Sequence, residues 1–106
     1  MELTRHQIRE IAFQTLFALN TNDQTDWKDF FQVLTSGKYG DDYPEYLHQL
    51  ISGVLEHKSE IDHTIEKYLA SSWSLERIAR TDLIILEIAI YEMVYVDDMP
   101  AKVSIN

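Results

Sequence analysis

A chain of 106 residues supports one hydrophobic core, so a single domain over residues 1–106 is expected, with no separate catalytic and recognition domains. Hydrophobic residues make up 45% and aromatic residues 11%, and only 3 Gly and 2 Pro interrupt them, which favours an all-α chain over many short strands. The absence of cysteine excludes a disulfide framework, a thiolate zinc site and a cysteine nucleophile, and a net charge of -9 excludes coating nucleic acid by charge alone. The start, Met1-Glu2-Leu3-Thr4-Arg5, lacks the blocks of a signal peptide. The most apolar run, residues 83–96, carries Glu87 and Glu92 and is too short for a bilayer, so a cytoplasmic protein without a membrane partner is expected.

The first predicted helix spans residues 4–20. Thr4 and Gln7 have the spacing of a capping box, and Leu3 and Ile8 that of a hydrophobic staple. Ile8, Ile11, Ala12, Leu16 and Leu19 repeat at three and four residues as one apolar stripe, with Arg5, Arg9 and Phe13 on a neighbouring one. After a polar loop, Trp27, Phe30, Phe31 and Leu34 predict a short second helix that Ser36-Gly37 stops. Pro44 suits the first position of a third helix with Leu47, Leu50, Ile51 and Val54 on its core face, ending near His57.

Ser59 with Asp62 resembles another capping arrangement, opening a fourth helix with Ile61, Ile65, Tyr68 and Leu69 inward, and Ser71-Ser72 breaks it. Ser74 can cap a short segment over residues 75–79. Thr81 can cap a helix from 82 to about 95 that is apolar on nearly all sides and so belongs in the centre of a bundle. Asp97-Asp98-Met99-Pro100 ends it, and Val103-Ser104-Ile105-Asn106 leads apolar residues up to a cap residue, so the chain reads as cut short.

The strongest functional signal is cationic charge at the unfavourable end of a helix. A helix amino terminus is partly positive, so Arg5, His6 and Arg9 each forgo roughly 0.3 to 1 kcal/mol relative to exposed acidic residues. Residues 1–20 carry no net charge, so the whole deficit falls on the rest of the chain. Arginines four residues apart, beside free backbone N–H groups and near Phe13, can grip phosphates and stack on an unpaired base; a plain solvated face is the competing reading. Glu76 and Asp82, on the approach to the last helix, are candidate contacts for a basic protein partner drawn by the acidic surface.

Other chemistry finds less support. Glu45 with His48 and Glu60 with His63 match the spacing of di-iron bundles, but His63 lies about 200° around its helix from Ile61, which puts it outside. No metal site or cofactor is expected. The chain has no Gly-x-Ser-x-Gly elbow, phosphate-cradling Gly-rich loop or His-Glu-x-x-His helix, and the Asp41-Asp42 and Asp97-Asp98 pairs read as solvated turns, so it is expected not to be an enzyme.

Several segments together resemble the NusB family. They are Arg9-Glu10-Ile11-Ala12-Phe13-Gln14-Thr15-Leu16-Phe17, then Leu50-Ile51-Ser52-Gly53-Val54 and Ile61-Asp62, then Trp73-Ser74-Leu75-Glu76-Arg77 with Asp82. Ile85-Leu86-Glu87-Ile88-Ala89-Ile90-Tyr91-Glu92 and Pro100-Ala101-Lys102-Val103-Ser104-Ile105-Asn106 complete the ordered series. The resemblance implies an all-helical fold of two packed helical sub-bundles. It also implies transcription antitermination: binding to the boxA element of ribosomal RNA leaders with NusE, the small-subunit ribosomal protein, within the RNA polymerase antitermination complex. The family's arginine-rich RNA motif falls here on Arg5, His6, Gln7 and Arg9.

This copy of the motif is diluted, with His6 and Gln7 in place of arginines, which implies weaker RNA binding alone and a pH-sensitive contribution from His6. Glu87 stands where many relatives have Arg. Family members continue beyond a sequence like Ile105-Asn106 into a further helix. Its absence predicts apolar residues of the last helix partly exposed and a tendency to self-association. Two rival readings are the NusB-like domain of a ribosomal RNA cytosine methyltransferase and a purely protein-binding helical module.

Overall fold

The computed structural model describes residues 3–40, 42–69 and 75–96. In chain order the elements are α1 (Arg5–Thr21), α2 (Trp27–Leu34), α3 (Glu45–Glu56), α4 (Lys58–Tyr68), a 3₁₀ turn at Leu75–Arg77, and α5 (Arg80–Tyr95). No strand occurs among the described residues. The chain divides into two compact units, Met1–Ser52 and Gly53–Asn106, with the division inside α3. An all-helical chain is the class the sequence predicts, and two helical units are what the family resemblance implies.

In the first unit, α1 begins at the predicted cap. The Thr4 hydroxyl accepts from the Gln7 N–H at 3.1 Å, and the Thr4 N–H donates to Gln7 Oε1 at 2.9 Å. Two of the backbone donors that a helix start leaves over are thus satisfied reciprocally. Ile8, Ile11, Ala12 and Leu16 are buried as the stripe requires, and Leu19 is half-buried. Thr15 is fully buried too, and its hydroxyl donates to the Ile11 carbonyl at 2.8 Å, so that hydroxyl is satisfied.

Helix α2 packs on α1 and buries Phe31 completely. Asp26 caps it, accepting from the Lys28 and Asp29 N–H groups. Its end is a Schellman arrangement: the Gly37 N–H reaches back to the Gln32 carbonyl at 2.8 Å and the Ser36 N–H to Val33 at 3.2 Å. Ser36 (φ 55°) and Gly37 (φ 71°) both take left-handed backbone there. Pro44 lies just ahead of α3, its carbonyl accepting from Leu47 and His48. Leu47, Leu50, Ile51 and Val54 along α3 are buried as predicted.

The second unit is built on α4 and α5, which pack together, with the 3₁₀ turn against α4. Among the described residues, Val54, Ile61, Ile65, Ile84, Ile88, Tyr91 and Val96 are its buried apolar side chains, and Glu87 and Glu92 are buried with them. Gly53, in the part of α3 belonging to this unit, lies so close beneath the Tyr91 ring that a Cβ would collide with it.

Four expectations need correction here. Helix α4 opens at Lys58, not after a Ser59 cap. The His57 N–H still bonds Gly53 while the His57 carbonyl already accepts from Ile61, so α4 follows α3 across one turn residue and Ser59 lies inside the first turn. Tyr68 is 83% exposed, not inward, because periodicity names a face without saying how far a neighbour extends along it. Helix α5 begins at Arg80 behind Ala79, which makes no side-chain cap bond, and Thr81 falls within the first turn. Nor is α5 covered on all sides: Ile85, Leu86, Met93 and Val94 are exposed. The expected Ser71-Ser72 break, the Ser74 cap, and the segments 97–100 and 103–106 lie outside the described residues.

Candidate nucleic-acid interface

The capping box fixes where α1 starts and therefore which side chains crown it. Arg5 occupies the first helical position, and no acidic residue lies in the first turn. Arg5, His6 and Gln7 are exposed, and Arg9 and Phe13 half-buried one and two turns further on. At 100° per residue, Arg5, Arg9 and Phe13 spread over about 80° of one side. Phe13 stacks on Phe17, with ring centroids 6.3 Å apart at 23°, and Phe17 is itself exposed, so an aromatic edge continues the cationic one.

His6 and Gln7 depart from that edge. The His6 ring approaches Glu10 at 3.8 Å, a carboxylate that offsets part of any positive charge His6 acquires. Gln7 commits its carbonyl oxygen to the Thr4 cap and lies about 200° around the helix from Arg5. It opens instead onto a groove of about 260 Å³ beside Glu10, Gln14, Lys38 and Tyr39. The structure thus gathers Arg5, Arg9 and Phe13 on one side, with His6 adjoining and Gln7 apart.

The sequence missed one neighbour of this surface. The Arg5 guanidinium lies over the ring of Tyr46 in α3, 3.7 Å from its centroid. Nothing in the pattern around Tyr46 marked it beyond its place beside the core residue Leu47, because the contact joins residues 41 positions apart in the chain.

The partner candidates lie in the second unit. Glu76 is exposed on the 3₁₀ turn and Asp82 is exposed in the first turn of α5. Asp82 borders an open groove of about 590 Å³ with Arg77, Ile78, Leu86, Tyr68 and Leu69, a largely apolar surface carrying charge of both signs at its rim.

A partly buried charge cluster also joins α4 to α5. Lys58 Nζ lies 2.8 Å from Glu87 Oε2 and 2.9 Å from Asp62 Oδ2, while Asp62 Oδ1 is buried without a partner among the described residues. Burial pushes the Glu87 carboxyl up to about 7; the neighbouring Asp62 carboxylate adds to the shift and Lys58 opposes it. Burial works against the Lys58 ammonium, but its bonds to Glu87 and Asp62 outweigh that and raise its pKa. Nearby, the bond from His57 and then that from Tyr95 hold Glu60 below the usual carboxylate value. The rings of His57 and Tyr95 stack 4.1 Å apart at 16°, so this group is a structural brace.

The paired Glu and His residues do not converge. His63 is exposed, and His48 stacks on Trp27 with centroids 5.6 Å apart. Among the described residues no group of three or more His, Asp or Glu is placed to hold a metal ion, and no helix is long and apolar enough to cross a membrane.

Fold and site together define a helical protein that sets an arginine- and aromatic-edged helix end on an otherwise acidic chain. The family model for the NusB family matches residues 6–106. Among similar proteins, the transcription antitermination protein NusB of Lactiplantibacillus plantarum is 52% identical, covering 100% of this chain and 78% of its own length. Its namesake in Levilactobacillus brevis is 51% identical over 100% of this chain and 76% of its own length. That of Enterococcus faecalis is 40% identical over 99% and 73%. No solved structure matches the chain. The chain belongs to the NusB family.

Proposed function

We propose that this protein is an RNA-binding transcription antitermination factor that engages boxA RNA of ribosomal RNA leaders together with NusE. The observation that carries the reading is the cationic edge of Arg5 and Arg9 at the amino end of α1, with Phe13 beside it. The names of the relatives, transcription antitermination protein NusB, support the biological setting. Arg5 and Arg9 contact phosphates, Phe13 stacks on an unpaired base, and His6 contributes at its margin. Gln7 acts on this surface chiefly through the Thr4 cap that fixes the helix start.

A chain of charge -9 needs help to hold a polyanion. A basic ribosomal protein, docked near Glu76 and Asp82, supplies positive charge and shares the RNA. The assembly serves the RNA polymerase antitermination complex, and the protein acts in the cytoplasm as one domain without catalysis.

Titrating a labelled boxA-like RNA with the protein, with and without NusE and across salt concentrations, tests this. The double variant Arg5→Ala/Arg9→Ala is expected to weaken binding and flatten the dependence of log affinity on log salt by about two contacts. Affinity unchanged by the double substitution overturns the site assignment. RNA binding that is undetectable even with NusE present favours the protein-binding module instead.

A further inference from the structure

The groove that Gln7 opens onto lies within the first unit, between α1 and the turn that follows α2. Gln7, Glu10 and Gln14 line it from one stripe of α1, within about 60° of one another, and Lys38 and Tyr39 line it from the turn. Ile11, which is buried, and Leu34 add apolar surface. At about 260 Å³ the groove falls below the roughly 300–1,000 Å³ of a drug-sized site, which suits one flat ring system rather than a helix.

The polar groups are of mixed kind. The Gln7 carbonyl accepts from the Thr4 N–H at 2.9 Å, so the cap fixes which end of that amide is the NH2 group and leaves it as a donor. Gln14, exposed two turns further on, carries both an acceptor and donors, and Glu10 carries a carboxylate acceptor. A phosphate calls for donors and an ammonium for acceptors, whereas the edge of a nucleobase presents both on a planar ring.

Tyr39 supplies the aromatic wall that such a ring needs. It is half-buried and braced by the fully buried Phe31, with ring centroids 6.4 Å apart. The Lys38 ammonium, 5.6 Å from the Tyr39 centroid, can meet the phosphate of a nucleotide whose base lies against that ring. Glu10 and Lys38 balance, so the groove carries no net charge on a chain of -9. A basic peptide is drawn instead to the acidic remainder, which repels RNA.

We propose that the groove between Gln7, Gln14 and Tyr39 is a pocket for a single unpaired base of the bound RNA, on the side of α1 away from Arg5. The inference rests on the reading of α1 as the RNA-binding helix, and it adds base recognition to an edge that otherwise holds phosphates.

An abasic scan of the boxA-like RNA, bound with NusE present, tests it. Gln14→Ala, at an exposed helical position that alanine suits, is expected to weaken binding of the intact RNA about three- to tenfold and to leave the salt dependence unchanged. One abasic position is expected to weaken binding to the unaltered protein and to lose most of that effect against Gln14→Ala. Tyr39→Leu is expected to weaken binding about five- to fiftyfold and Tyr39→Phe to retain it. Additive losses at every position, or full affinity in Gln14→Ala, overturn the pocket. So does a loss of NusE binding in Gln14→Ala without RNA, which assigns the groove to the protein partner. Binding that depends on Arg5 and Arg9 but shows no such coupling overturns the pocket alone. Failure of the unaltered protein to bind the RNA with NusE overturns both readings.

Discussion

Lys58 on α4 reaches Glu87 on α5 at 2.8 Å, and the carboxylate it holds is only 5% exposed. Removing the ammonium leaves a buried acid beside Asp62 with no cation in that cluster. Lys58→Met is expected to destabilise the protein by about 1–3 kcal/mol, below the range for fully buried pairs because the lysine is itself 42% exposed. Glu87→Gln is expected to cost less, since Lys58 keeps Asp62. Urea unfolding of both variants checks the order; a Lys58→Met protein as stable as the unaltered one contradicts it.

The same cluster gives stability a pH dependence of unusual sign for a carboxylate. Glu87 has a folded-state value of about 7, above its ordinary value of 4.5, so between these the folded protein keeps a proton that the unfolded chain has released. Its contribution is therefore complete below the lower value and is lost as pH rises through about 7. Unfolding midpoints measured across this window should fall with pH for the unaltered protein relative to Glu87→Gln. A difference between the two that stays flat, or grows with pH, rules the assignment out.

Gly53→Ala offers a test in which intrinsic propensity and packing disagree. Alanine is favoured over glycine by about 1 kcal/mol within a helix, but overpacking typically costs about 1–3 kcal/mol. The new methyl group would strike the Tyr91 ring, which stacks on Tyr95 with centroids 5.4 Å apart. A net loss of stability is expected, and thermal unfolding reads it directly. A more stable variant would show that Tyr91 yields freely.

Thr4→Ala removes one half of the capping box and is expected to cost about 1 kcal/mol. The loosened first turn carries Arg5, so hydrogen exchange of the α1 amides should quicken near the amino end before it does further along. Uniform exchange along α1 would contradict a local role for the cap.

These cases also show what a linear sequence discloses. The Thr4–Gln7 box and the Ser36-Gly37 stop were legible because both bonds of each motif join residues within five positions, so their chemistry is written locally. The buried faces of α1 and α3 were legible for the related reason that a stripe repeats. The start of α4 was not, because a good cap residue, Ser59, competes with a helix that resumes directly after His57. Arg5 and Arg9 could be picked out by sign against the helix dipole, whereas Tyr46 and the Lys58–Glu87 pair depend on which helices meet. That information is tertiary and leaves no periodic trace.

Ser36 ends α2 in a left-handed conformation, φ 55°, that a serine adopts less readily than glycine. The turn thus holds a small reserve of backbone strain, about 1 kcal/mol, at a surface position remote in sequence from Arg5 and Arg9. Ser36→Gly would relax it without altering a cation. A test of the proposed RNA contact is easier to read when the folded fraction is secure, and the α2 terminus supplies a place to secure it that leaves the proposed contact edge as it is.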